Sequence, residues 1–442
     1  MKRLIFLFAI IPNIFFGQHA IKGTFMPAED FKALLLYKIE PSKLNYIDNA
    51  RLKNDGSFEL KLDASLAPGM YRLIYALPEE DNNFDIIYNG EEDIELTFDI
   101  ENGVVYQSSR ENKLLASYIH SMSLVQQSLN NYFSKGSQDK DALAAIFKTQ
   151  KETQENFEAA AMGTLALNFI KANRFYIPDT VEDVKTYMNN IETHFFDHVD
   201  FTNEVLQTSN FFNERMFNYV LNMKHEGLDQ EANYKRNTDD FYKAMAKAPI
   251  KVKEGLLLDL WQYMADEGFE EVANFIAENY LIAIAKAQNN EELVTKLTVF
   301  KNISLGHKAP DFSFEVEENG QKVTKKLSDL QISNSYIVVF WSSTCSHCLE
   351  QIPQLASFVK TQQEGKIKVV AIGLENIEGP WKRAIKDLPD FIHVFGEDKW
   401  DNPIGDTYGV TATPTYFILN RDKEIIARPE EIEDVKAFFE SH

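Results

Sequence analysis

The spacing of apolar residues changes character twice along the chain, and each change predicts a different architecture. From 18 to 107, short runs such as "KALLLYKI", "SFELKL", "YRLIYAL", "FDIIYN" and "IELTFDI" are separated by Asp-Gly and Pro-Gly turn signals. Alternating, β-branched and aromatic runs punctuated this way predict strands, here packed as an antiparallel β-sandwich. From 108 to 300 the apolar positions recur every three or four residues, as in "NKLLASYIHSMSLVQQSLNNYF" and "EEVANFIAENYLIAIAKA". That period predicts an all-α region. From 306 to 442 the two patterns alternate. "SYIVVFW" reads as a buried strand, "HCLEQIPQLASFVKTQQ" as a helix and "KIKVVAIGL" as a second, parallel strand. "GPWKRAIKDL" follows as a helix, then "PTYFIL" and "KEIIAR" as an antiparallel pair, then a terminal helix.

Composition narrows the field. With 45 basic and 67 acidic residues the formal charge is −22, which argues against nucleic acid and anionic membrane surfaces as partners. The chain opens with Lys2 and Arg3, an apolar run from Leu4 to Phe16 and then Gly17. Those are the parts of a secretory signal, with cleavage expected between Gly17 and Gln18. The run is too short for a spanning helix, which needs roughly 20 residues. No cysteine follows it, which disfavours a lipid anchor. The expectation is an exported, periplasmic protein.

Export sharpens the meaning of the two cysteines, Cys345 and Cys348, which stand in "FWSSTCSHCLEQIP". A disulfide across so short a loop restrains the unfolded chain little, so a structural staple is a poor explanation. A metal centre using Cys345, Cys348 and His347 would suit a soft ion, but a fourth ligand is missing. A second histidine pair, His194 and His198, has the i, i+4 spacing of a helical zinc site. Position 195 is Phe rather than Glu and no third ligand is evident, so these read as ordinary histidines. A redox pair explains the spacing best. At a strand-to-helix junction Cys345 meets unpaired N–H groups and the positive end of the helix, which favour a thiolate. Cys348 lies one turn on, on the same face.

These residues resemble the redox centre of thioredoxin-like proteins. "YGVTATPTYFIL" (408–419) resembles the cis-proline loop of that family. There Thr413 and Pro414 are implied to face the dithiol and pair with substrate backbone. Together with "GHKAPDFSF", "LSDL" and Pro353, the segment 306–442 resembles the TlpA/ResA branch of exported bacterial thiol–disulfide oxidoreductases. The resemblance implies a Cys345–Cys348 disulfide in the oxidised form and no cofactor. It further implies cysteine-containing exported proteins as substrates and a membrane-bound electron donor. The first two zones would be accessory, with a homodimer through the β-rich or helical domain as one use for them.

Departures from the family pattern limit what carries over. Thioredoxin has a buried aspartate where this chain has Val339, and ResA-like members have a glutamate where it has Gln351. Glu350 and Glu375 are the candidate replacements as proton acceptor for Cys348. His347 occupies the position of the histidine in isomerase and oxidase centres, where it would tune the potential upward, so isomerase or oxidase activity stands beside the expected reductase. Peroxidase activity is disfavoured by Val338 and Ser342, which replace the proline and threonine it needs.

Overall fold

The computed structural model describes residues 19–40, 43–79, 81–318 and 321–441. The N-terminal apolar run and the expected cleavage position lie outside them. Two compact units meet at Asp259 and Leu260.

In the first unit, eight strands form two four-stranded sheets. The strands are β1 (Ala20–Met26), β2 (Ala33–Glu40), β3 (Lys43–Arg51), β4 (Ser57–Lys61), β5 (Gly69–Ile74), β6 (Asn83–Tyr88), β7 (Ile94–Asp99) and β8 (Gly103–Tyr106). The sheet orders are β4-β1-β7-β8 and β3-β2-β5-β6. Alternating side chains from both, including Phe25, Leu34, Leu36, Leu73, Ile86 and Leu96, enter one core. One feature departs from the antiparallel expectation: β1 and β7 run parallel. They approach so closely that a Cβ on Gly23 would lie 1.8 Å from the Leu96 carbonyl oxygen. That contact is with backbone, which no side-chain rotation relieves, so glycine is required there.

Helix α1 (Arg110–Ser134) covers the open edge of β6. Asn112 accepts from Ile87 N at 2.8 Å and donates to Ile87 O at 2.7 Å, so a side chain completes the ladder a neighbouring strand would have made. Six further helices complete the unit before its last element: α2 (Lys140–Ala160), α3 (Ala166–Ala172), α4 (Val184–Thr193), α5 (Glu204–Gln207), α6 (Phe211–Asn222) and α7 (Gln230–Ala244). The buried Glu111 carboxylate accepts from Leu165 N and Ala166 N at the start of α3, where the helix dipole favours an anion. The shared helix face expected for His194 and His198 is absent. α4 ends at Thr193, His194 is its C-cap, and its ring stacks on Tyr176 while bonding Asp197 at 2.6 Å.

Helix α8 (Ile250–Asp266) spans the boundary between the units. The second unit continues with α9 (Glu270–Ile276), a π-turn over Ala277–Leu281, α10 (Ile282–Ala287) and α11 (Glu291–Asn302). These helices, placed in the central zone by their apolar spacing, group with the C-terminal unit. Arg428 pairs with Glu270 and donates to Ile303 O, and Gly306 N bonds Ile425 O.

After a hairpin of β9 (Ser313–Glu318) and β10 (Gln321–Lys326) comes a five-stranded sheet. Its strands are β11 (Ser335–Trp341), β12 (Ile367–Leu374), β13 (Ile392–Gly396), β14 (Thr415–Asn420) and β15 (Ile425–Ala427), in the order β13-β12-β11-β14-β15. β11, β12 and β13 are parallel; β14 and β15 are antiparallel to their neighbours. Both faces of β11 are buried. Tyr336, Val338 and Phe340 enter one core, and Ile337, Val339 and Trp341 enter the other. The second core is closed by α12 (Ser346–Thr361), α13 (Glu378–Ala384) and α15 (Ile432–Ser441); the short α14 (Pro403–Thr407) precedes β14. Among the described residues no helix is long and apolar enough to cross a membrane.

The close β1–β7 pairing carries a prediction. Gly23→Ala should cost about 3 kcal/mol of stability, measured by urea denaturation. Wild-type stability would show that β1 and β7 do not approach this closely.

Candidate active site

The site is built where β11 hands over to α12. Ser342 follows the buried strand and organises a tight turn: its carbonyl accepts from Cys345 N at 3.2 Å, and its hydroxyl accepts from Thr344 N at 3.3 Å. The turn leaves Cys345 as the N-cap of α12, with φ −91° and ψ 122°. Its sulfur sits where a serine or aspartate oxygen usually caps a helix and accepts from Cys348 N at 3.4 Å. Register sets the other side of the site. Phe340 on β11 lies opposite Thr415 on β14, so the segment just before β14 lies beside the start of α12. The Thr413–Pro414 peptide is cis. Cys345 Sγ donates to the Thr413 carbonyl at 3.3 Å.

The two thiols are free and differ in surroundings. Cys345 is half-buried. Burial acts most strongly on it and opposes ionisation, but hydrogen bonds from the Cys348 and Thr413 side chains and from the Cys348 and His347 N–H groups outweigh burial. The thiol is held below its usual range. Cys348 is fully buried, packed in one core with Val339, Trp341 and Tyr416. Burial first, then the neighbouring Cys345 sulfur, pushes its thiol up to about 12. Val339, standing where thioredoxin has aspartate, is part of that apolar wall.

Gln351 is committed elsewhere. Its Oε1 accepts from Tyr416 OH and from Ile432 N, both at 3.1 Å, tying α12 to β14 and to the start of α15. Tyr416 escaped the sequence reading, although strand alternation from Thr415 places it on the α12 side of the sheet. Glu350 is exposed on α12. Glu375, directly after β12, is 97 % buried, as its exposure of 3 % shows, and accepts from Ser343 N in the redox turn. Trp381 closes this end of the sheet: its indole Nε1 lies 2.3 Å from where a Cβ on Gly373 would stand. His347 is exposed, and its influence on Cys345 is through its backbone N–H. Among the described residues no group of three or more His, Cys, Asp or Glu could hold a metal ion.

Tyr416→Phe tests the Gln351 clamp. It removes one of two donors and should cost about 1 kcal/mol in chemical denaturation, with alkylation of Cys345 unchanged. An unchanged stability would mean that the clamp is idle.

A thioredoxin-like family model matches residues 333–425. The thiol–disulfide oxidoreductase ResA of Bacillus subtilis is 27 % identical over 131 residues, covering 28 % of this chain and 67 % of that protein. The ResA of Bacillus anthracis is 24 % identical over 132 residues, covering 28 % and 69 %. Among solved structures, a thiol–disulfide oxidoreductase from Bacteroides fragilis is 23 % identical with a TM-score of 0.26, covering 30 % of this chain and 98 % of that one. A thioredoxin-like protein from Bacteroides caccae is 15 % identical with a TM-score of 0.32, covering 60 % and 97 %. The family match spans the segment that holds both cysteines, so residues 333–425 form a thioredoxin-like domain, and the chain is similar to ResA thiol–disulfide oxidoreductases.

Proposed function

We propose that the protein is an exported thiol–disulfide oxidoreductase that works through Cys345 and Cys348, in the reducing direction. One observation carries this reading: a half-exposed thiol with depressed pKa caps a helix, three residues from a fully buried partner. The Cys345 thiolate attacks a substrate disulfide; a Cys345–substrate bond forms and one substrate sulfur leaves as thiolate. Cys348 then loses its proton and attacks Cys345 Sγ, releasing the second substrate thiol. The substrate gains two electrons and the enzyme is left with a Cys345–Cys348 disulfide. The Thr413 carbonyl, which meets Cys345 Sγ, is placed to pair with an extended substrate backbone.

The buried second thiol needs a base, and Glu375 suits the task better than Glu350. Glu375 is buried and bonded to the redox turn, whereas Glu350 lies in solvent. Substrates are cysteine-containing exported proteins, and a membrane-bound donor returns the electrons. The N-terminal signal run supports the exported setting. The two β-sheets read as an accessory sandwich, and the first unit as a platform for binding or dimerising. Isomerase activity is the alternative reading, and it rests on the resemblance of His347's position to the histidine of isomerase centres.

Three measurements check this. Cys348→Ser should stall turnover and accumulate substrates linked through Cys345, seen as mixed disulfides by mass spectrometry; their absence would remove the assigned roles. Glu375→Gln keeps an oxygen for Ser343 N–H but loses the base. It should slow resolution of a Cys345 mixed disulfide about 10²-fold near neutral pH, with the deficit shrinking as pH rises. A wild-type rate would exclude Glu375. A glutathione titration should give a potential near about −270 mV; a value near about −180 mV would favour isomerase.

A further inference from the structure

The first unit contains a partly enclosed cavity of about 130 Å³ between helices, remote in sequence from both cysteines. Its wall includes Phe175, Tyr176, Tyr187, Phe195 and the head of Arg215. The arginine is unusual. It is only 9 % exposed, yet it has no ion pair among the described residues. One Nη2 hydrogen bond, to Ala172 O at 2.8 Å, and the faces of Phe195 (4.8 Å) and Phe211 (5.5 Å) are its contacts. Nε is buried without a hydrogen-bond partner. Glu214, the preceding residue in the helix, attracts it electrostatically but makes no salt bridge or hydrogen bond with it.

A buried guanidinium is ordinarily matched by a carboxylate, because desolvating an unpaired charge is costly. The other arginine of the cavity shows the usual solution: Arg174 bonds Glu158 through Nε and Nη2, at 3.1 and 2.8 Å. Arg215 lacks such a partner, and burial, the largest influence on it, presses its pKa down to about 10. A cavity of this size matches one of about 150 Å³ that takes up benzene. Aromatic walls and a buried guanidinium with no carboxylate hydrogen-bonded to it together describe a ligand with a flat apolar body and a single negative charge. Two open depressions flank the cavity and share Phe175 with it, which gives a small molecule a way in.

We propose that this cavity binds a small organic carboxylate, its carboxylate on Arg215 and its ring or chain among Phe175, Tyr176 and Phe195. The site is independent of the dithiol reading and would stand without it.

Calorimetric titration of the full chain with benzoate, and with benzamide as its uncharged counterpart, tests the proposal. The expected result is saturable binding of one benzoate per chain, with benzamide at least about tenfold weaker because it cannot pair with the guanidinium. Arg215→Lys, which keeps charge but loses the fork, and Phe175→Ala should each weaken benzoate by about tenfold. Phe175 is 37 % exposed, so its variant is expected to stay folded, which a thermal melt and unchanged disulfide exchange would confirm. Absence of saturable benzoate binding to wild type, equal affinity for benzamide, or unchanged affinity in a folded Phe175→Ala would each overturn the proposal.

Discussion

The hydrogen bond from Cys348 N to Cys345 Sγ is the constraint on which the site depends. It makes the first sulfur the cap of a helix, so one of the four unsatisfied N–H groups at that end points at the atom that must carry charge. The same helical turn drives the second sulfur into the core beneath the sheet. Two chemically identical residues thereby acquire opposite tendencies. One is half-exposed with its ionisation favoured; the other is buried with its ionisation opposed.

The surrounding structure serves that asymmetry. A strand buried on both faces ends at Trp341 and cannot drift, because each side chain from Tyr336 to Trp341 is committed to one core or the other. Antiparallel pairing brings the Thr413–Pro414 segment to the same end of the sheet. Gln351 then anchors α12 to β14 and α15 through Tyr416 and Ile432. The residue that departs from the ResA pattern is thus engaged in holding the helix. On the far side of the turn, the buried Glu375 carboxylate accepts from Ser343 N.

Much of this was legible in the chain because the relevant signals are local. "SYIVVFW" followed by Cys-Ser-His-Cys specifies a buried strand, a turn and a helix start, and the apolar periods mark the three zones. What escaped depends on pairings between distant segments. β13 is five residues long and draws its stability from β12, so its own pattern is weak. The parallel β1–β7 contact cannot be inferred from two alternating runs, since alternation is indifferent to strand direction. His194 and His198 have helical spacing, but α4 stops at Thr193 and the Asp197 bond fixes the ring outside it. Tyr416 matters only once β14 is seen to lie beneath α12. Arg215 is one arginine among many in sequence, and only burial without a partner distinguishes it.

The most direct test of the asymmetry is the pH dependence of alkylation of the reduced protein, followed residue by residue by mass spectrometry. The account predicts that Cys345 reacts with a midpoint below the range of free cysteine, about 8.5, because its thiolate is stabilised in the fold. Cys348 should stay protected until the pH approaches about 12, where its buried thiol ionises. Reaction of both cysteines together, with one midpoint near that of free cysteine, would contradict it.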